Sequence, residues 1–79
     1  DIGLGKGYLS YGQYDKAAVA LQRGLGKGGL SDKAEVQLLL GIAQLKSGKK
    51  DDAIKSFNSL KDDAKYGRLA GLWALHARS

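Results

Sequence analysis

The 79-residue chain is 43% hydrophobic and 27% charged. This mixture supports a folded protein of one domain at most, able to bury only about 60% of its unfolded surface. No apolar run approaches the roughly 20 residues that a membrane-spanning helix needs, and the lack of cysteine excludes disulfides and thiolate metal sites. The formal charge of +5 invites an acidic partner, but the densest basic group, Lys46, Lys49 and Lys50, runs straight into Asp51 and Asp52, which argues against nucleic acid.

Residues 2 to 11 place Leu4, Tyr8, Leu9 and Tyr11 near helical spacing, although Gly3, Gly5 and Gly7 each cost about 1 kcal/mol relative to alanine in a helix. Gly12 is expected to close this helix in the left-handed conformation. The next opens at Gln13-Tyr14-Asp15, with an inward stripe of Ala17, Ala18, Leu21 and Leu25. Gly24-Leu-Gly-Lys-Gly-Gly29 is too glycine-rich to continue a helix, and Ser31-Asp32 supplies an N-cap for the third. That third helix carries Val36, Leu38, Leu39, Leu40, Ile42 and Leu45, with Gly41 alone against it, and stops at Ser47-Gly48. A fourth begins with Asp51 and Asp52 in its first turn and buries Ala53, Ile54, Phe57 and Leu60. Lys61-Asp62-Asp63 repeats that stop-and-start chemistry. The last helix, roughly Ala64 to Arg78, is expected to set Leu69, Leu72, Trp73 and His76 along one side. The reading is all-α, with five helices.

A periodicity runs through these elements. Leu4-Gly5, Tyr8, Gly12, Tyr14, Ala17, Leu21 and Gly24 return 36 residues later as Leu40-Gly41, Gln44, Gly48, Lys50, Ala53, Phe57 and Leu60. A fixed period of this size predicts stacked antiparallel helical hairpins. The first copy starts almost at once and the chain begins at Asp1 without any methionine, so a fragment of a longer protein is expected.

The spacing Leu-Gly-x-x-Tyr-x-x-x-Gly-x-Tyr-x-x-Ala-x-x-x-Leu at residues 4 to 21 resembles the tetratricopeptide repeat. Small residues such as Gly5, Ala17 and Gly24 are expected to face large ones such as Tyr8, Tyr14 and Leu21. The second copy exchanges the two tyrosines for Gln44 and Lys50, and neither copy has the closing proline. Trp73 and Ala77 fall 36 residues beyond Gln37 and Gly41, so the final helix resembles the start of a third unit. The expected organisation is repeat 1 at about 1–29, repeat 2 at about 31–61 and a capping helix at about 64–78, a piece of a right-handed α-solenoid. The tail from Leu69 to Trp73 is loosely similar to the ends of bacterial members carrying export leaders. That leaves the compartment open, tilted toward the bacterial periplasm over the cytoplasm.

The resemblance implies a protein–protein interaction scaffold whose inner surface, lined by the first helix of each pair, holds a peptide or partner helix. Of the inner-face positions, Ile2, Lys6, Leu9, Glu35, Leu38, Ile42, Leu45 and Lys46 are the candidate groove, and they lack the family's Lys/Asn/Arg carboxylate clamp. Their apolar character favours an amphipathic helix as guest. The alternative is that this stripe is core, packed within a parent array or a homo-oligomer. Trp73 is read either as a seal over Phe57 and Leu60 or as an interface anchor.

No chemistry competes with binding. The chain has one histidine, one glutamate and no cysteine, so no nucleophile has a positioned base, and His76 is expected to be a half-buried neighbour of Trp73. Asp51-Asp52 and Asp62-Asp63 sit where helix starts favour negative charge. The Gly24–Gly29 stretch has the letters of a dinucleotide fingerprint, but no strand precedes it. No enzyme activity, cofactor or metal is expected.

Overall fold

A computed structural model describes residues 2–27 and 33–78. Among them the chain forms five helices and no strand: α1 (Ile2–Ser10), α2 (Tyr14–Lys27), α3 (Lys33–Lys46), α4 (Lys50–Asn58) and α5 (Gly67–Arg78). Each helix packs chiefly on its neighbours in sequence, with lesser contact between α1 and α3 and between α3 and α5. The radius of gyration, 11.4 Å, is close to the about 11.6 Å expected of a compact domain of this length.

The two hairpins, α1–α2 and α3–α4, turn in the same way. Gly12 and Gly48 have φ of 74° and 87°, the left-handed region that costs residues with a Cβ. Around Gly12, Gly12 N–H donates to the Leu9 carbonyl at 3.1 Å and Gln13 N–H to the Tyr8 carbonyl at 2.8 Å. Around Gly48, the corresponding bonds run from Gly48 to Leu45 at 3.1 Å and from Lys49 to Gln44 at 2.8 Å. Both are Schellman caps, which satisfy carbonyls that a helix end leaves without partners.

Two core clusters stack along the molecule. The first joins Ala17, Ala18 and Leu21 of α2 to Val36, Leu40 and Ala43 of α3, with Tyr8, Leu9, Leu25 and Leu39 packed against it. The second joins Leu38 of α3, Ala53 and Phe57 of α4, Leu60, and Ala70 and Ala74 of α5. Leu21 and Phe57 are the largest fully buried side chains. Helix α3 lies between the clusters and is buried on two sides. The polar Gln44 is buried there too, and accepts a hydrogen bond from Ser56 Oγ of α4 at 2.6 Å.

Several boundaries and faces differ from the sequence reading. Helix α2 runs through Gly24 and Gly26 to Lys27 instead of stopping at Gly24, because Leu25 packs on the first cluster and repays the glycines' cost. The Ser31-Asp32 cap lies outside the described residues. Helix α5 begins at Gly67, after a turn in which Asp63 Oδ1 accepts from Lys65 N–H at 2.8 Å and Tyr66 N–H at 2.7 Å. The capping role read for Asp63 is therefore in place, one turn ahead of the helix.

Helix α5 turns its small residues inward. Leu69 and Leu72 point outward, as does Leu75, at 43%, 59% and 63% exposed, while Gly67, Ala70, Ala74 and Ala77 are buried. Phe57 of α4 and Leu60 just past its end already fill the space, so α5 approaches through its small residues. At Gly67 the approach is so close that a Cβ would stand 2.8 Å from the Lys61 carbonyl oxygen. The α3 residues facing α2, Val36 and Leu40, correspond at the 36-residue offset to Leu72 and His76, both of which are exposed. The face that α5 turns inward is therefore not the counterpart of the face that α3 turns to α2.

Candidate functional site

Helices α1 and α3 lie side by side, and the candidate groove residues on them separate into three groups. Lys6 and Glu35 are brought together: Lys6 Nζ donates to Glu35 Oε1 at 3.0 Å. The Tyr66 hydroxyl, from the turn before α5, reaches Glu35 Oε2 at 3.5 Å. Glu35, the chain's one glutamate, therefore links α1 to the approach of α5 across the front of α3. The ion pair is solvated on both sides, with side chains 50% and 38% exposed, so it contributes on the order of 0–1 kcal/mol and acts mainly to fix register.

Leu9, Ile42 and Leu45 form the second group. They are half-buried, Leu9 against the first cluster and Ile42 and Leu45 against the second, each leaving part of its side chain to solvent. Leu38 forms the third group. It is 5% exposed, enclosed by Ala53, Phe57, Ala70 and Ala74, and offers no surface to a guest. Its position among the inner-face residues suggested a groove, but α5 covers it. The side chain of Ile2 lies outside the described residues.

Lys46 is exposed at the end of α3 and edges a concavity of about 450 Å³ between the two hairpin turns, shared with Gly12, Gln13, Tyr14, Asp15, Lys16 and Ser47. The surface around Lys6, Glu35 and Lys46 is therefore charged at its edges, with half-exposed aliphatic side chains between.

Trp73 stacks on Phe57, ring centroids 6.1 Å apart and planes 22° from parallel. His76 meets the indole edge-on, ring centroids 5.9 Å apart. Trp73 remains half-buried and lines a shallow recess of about 240 Å³ with Leu72 and His76. It therefore both closes the second cluster and presents an edge outward. His76 is exposed, not half-buried as expected. Leu69, Leu72 and Leu75 are exposed as well and give the outer side of α5 an apolar surface, of which the sequence reading singled out Leu69 and Leu72 but neither Leu75 nor the outward direction.

Among the described residues, no group of three or more His, Cys, Asp or Glu side chains is gathered where it could hold a metal ion. No helix there is long and apolar enough to cross a membrane. The glycine motif at 24–29 contributes Gly24 and Gly26 to the body of α2, with Gly28 and Gly29 outside the described residues. Comparison with protein-family models, curated proteins and solved structures finds no match for this chain.

Proposed function

We propose that the chain is a non-catalytic interaction module of the tetratricopeptide kind, holding a peptide or helix of another polypeptide across the face formed by α1 and α3. The observation that carries this reading is the row of half-exposed Leu9, Ile42 and Leu45 beside the Lys6–Glu35 pair, with exposed Lys46 at its end. Helix-in-groove recognition uses such a surface: aliphatic side chains at helical spacing supply the area, and charged edges supply register. The like-built hairpins give it a rigid base. Leu38 belongs to that base and not to the contact surface.

The test compares polypeptides retained from an extract of the producing cells by immobilised wild-type chain and by Ile42→Lys and Leu45→Lys variants, with circular dichroism to verify folding. A polypeptide held by wild type and lost by both folded variants supports the reading. Equal retention by all three overturns it.

A second reading has its own observation. The outward Leu69, Leu72 and Leu75 of α5 form an apolar face of the kind that marks packing surfaces, and favour a structural segment that assembles within an array or with its own copies. Sedimentation of Leu72→Lys against wild type separates the two: self-association lost in the variant supports assembly through α5.

A further inference from the structure

The two hairpins share their caps and close contacts, yet their outer sides differ in chemistry. Between α1 and α2 runs an open groove of about 400 Å³ floored by Leu4, Tyr8, Val19 and Ala20. Leu4 is 53% and Val19 49% exposed. At the 36-residue offset the second hairpin has Gln44 for Tyr8, Lys55 for Val19 and Ser56 for Ala20, and the Gln44–Ser56 hydrogen bond occupies its interior. Leu4 keeps its counterpart in Leu40, which the first cluster buries, but the other three floor positions are apolar in the first hairpin alone, so hairpin packing does not require them to be apolar.

Its edge is cationic. Lys16 and Arg23, both exposed, stand seven residues apart on α2, two turns or about 10 Å along the groove. Lys16 Nζ lies 5.8 Å from the centroid of the Tyr8 ring, which holds the charge over the groove's floor. Asp15 lies at the beginning of this edge, in the first turn of α2 where the helix dipole favours it, so the cationic stretch runs from Lys16 toward Arg23. The second hairpin places Asp52 and Ser59 at the positions of Lys16 and Arg23.

We propose that this groove is a second binding site, and that its occupant is an amphipathic helix of another polypeptide, apolar toward Leu4 and Val19 and acidic toward Lys16 and Arg23. Charge selects this occupant over a second copy of the chain. Each apolar face a second copy could offer is also basic: α5 carries Arg68 and Arg78 and no acidic residue from Gly67 to Arg78, and the α1–α3 face carries Lys6 and Lys46, with its Glu35 paired to Lys6. Docking either face here sets cation against cation, which disfavours the pairing and slows encounter. The net charge of +5 draws an acidic helix in instead.

The test titrates the 79-residue chain into two fluorescein-labelled synthetic helices that share one Leu/Ala face, one flanked by glutamates and the other by lysines, and follows anisotropy. The glutamate helix is expected to bind, weakening as salt rises, and the lysine helix to bind at least about tenfold more weakly. Val19→Lys, which copies Lys55 of the second hairpin, is expected to weaken the glutamate helix about tenfold with unchanged circular dichroism. Ile42→Lys is expected to leave this binding intact. Equal binding of the two helices, binding of neither, or wild-type behaviour of Val19→Lys overturns the proposal. Loss in Ile42→Lys alone also overturns it, by placing the helix on the α1–α3 face, an outcome that leaves the proposed function standing. Self-association of wild type that Val19→Lys abolishes would make a second copy the occupant and overturn it as well.

Discussion

Gly41 of α3 lies against the ring of Phe57 on α4 so closely that a Cβ built on it would stand 2.5 Å from Phe57 Cε1. The same relation recurs 36 residues earlier, where a Cβ on Gly5 would stand 2.7 Å from Leu21 Cγ. These two pairs set how near each pair of helices approaches, and Leu21 and Phe57 are the largest fully buried side chains. A glycine that weakens a helix locally is here what lets two helices touch.

Gly41→Ala is expected to destabilise the chain by about 1–3 kcal/mol, since the fully buried Phe57 ring has little room to give way. Gly7→Ala is expected to do the reverse, stabilising by roughly 0.5–1 kcal/mol, because nothing lies within 4 Å of its added Cβ and alanine favours the helix. Urea unfolding midpoints of the two variants measure this. A shift of the same sign in both would refute the account of why α1 and α3 carry glycine.

Ser56→Ala is expected to cost about 1–3 kcal/mol, because it removes the donor from the buried Gln44 Oε1. Adding Gln44→Leu should recover most of that loss, since no buried acceptor then lacks a donor. A double-mutant cycle reads the coupling directly, and additive losses would mean that the 2.6 Å contact carries no energy.

Gly48→Ala is expected to lose roughly 1–2 kcal/mol although nothing lies within 4 Å of the new Cβ, because the φ of 87° itself opposes a side chain. Gly26→Ala, also in open space but inside α2, should instead be neutral or stabilising. Thermal unfolding separates backbone conformation from crowding as the cause.

Trp73→Ala is expected to cost about 2 kcal/mol, less than a fully buried tryptophan, by uncovering one side of Phe57. Leu72→Lys and Leu75→Lys should each stay within about 0.5 kcal/mol of wild type, since both side chains face outward. Large losses at Leu72 or Leu75 would place them in the core and remove the apolar outer face of α5.

Much of the helical order could be read from residue types alone. Gly12 and Gly48 announce their caps by standing just past an apolar helix, and Ala17, Leu21, Ala53 and Phe57 fall on the expected inward stripes. The end of α2 could not, because Leu25 holds the helix past Gly24 by packing against the first cluster, a tertiary contact that local propensity does not contain. The face of α5 was hidden for a related reason. Its leucines and its alanines each form a helical stripe, and hydrophobicity favours the leucines, while the choice is made by how much of the gap Phe57 and Leu60 leave.

The candidate site divides along the same line. Lys6, Glu35 and Lys46 were singled out from the 36-residue pattern, but the Lys6–Glu35 bond spans two hairpins and depends on how they pack. Leu38 shares the spacing of Ile42 and Leu45 and differs only in being roofed by Ala70 and Ala74, which no pattern within α3 reveals.

The proposed role is tested most directly by placing a photoreactive benzoylphenylalanine at Leu45, and in parallel at Leu72, in cells that make the protein, and identifying the crosslinked products by mass spectrometry. The account predicts that Leu45 captures a distinct polypeptide through one defined segment and that Leu72 does not capture that segment. Capture at Leu45 of only a second copy of this chain, or the same products from both positions, would contradict it.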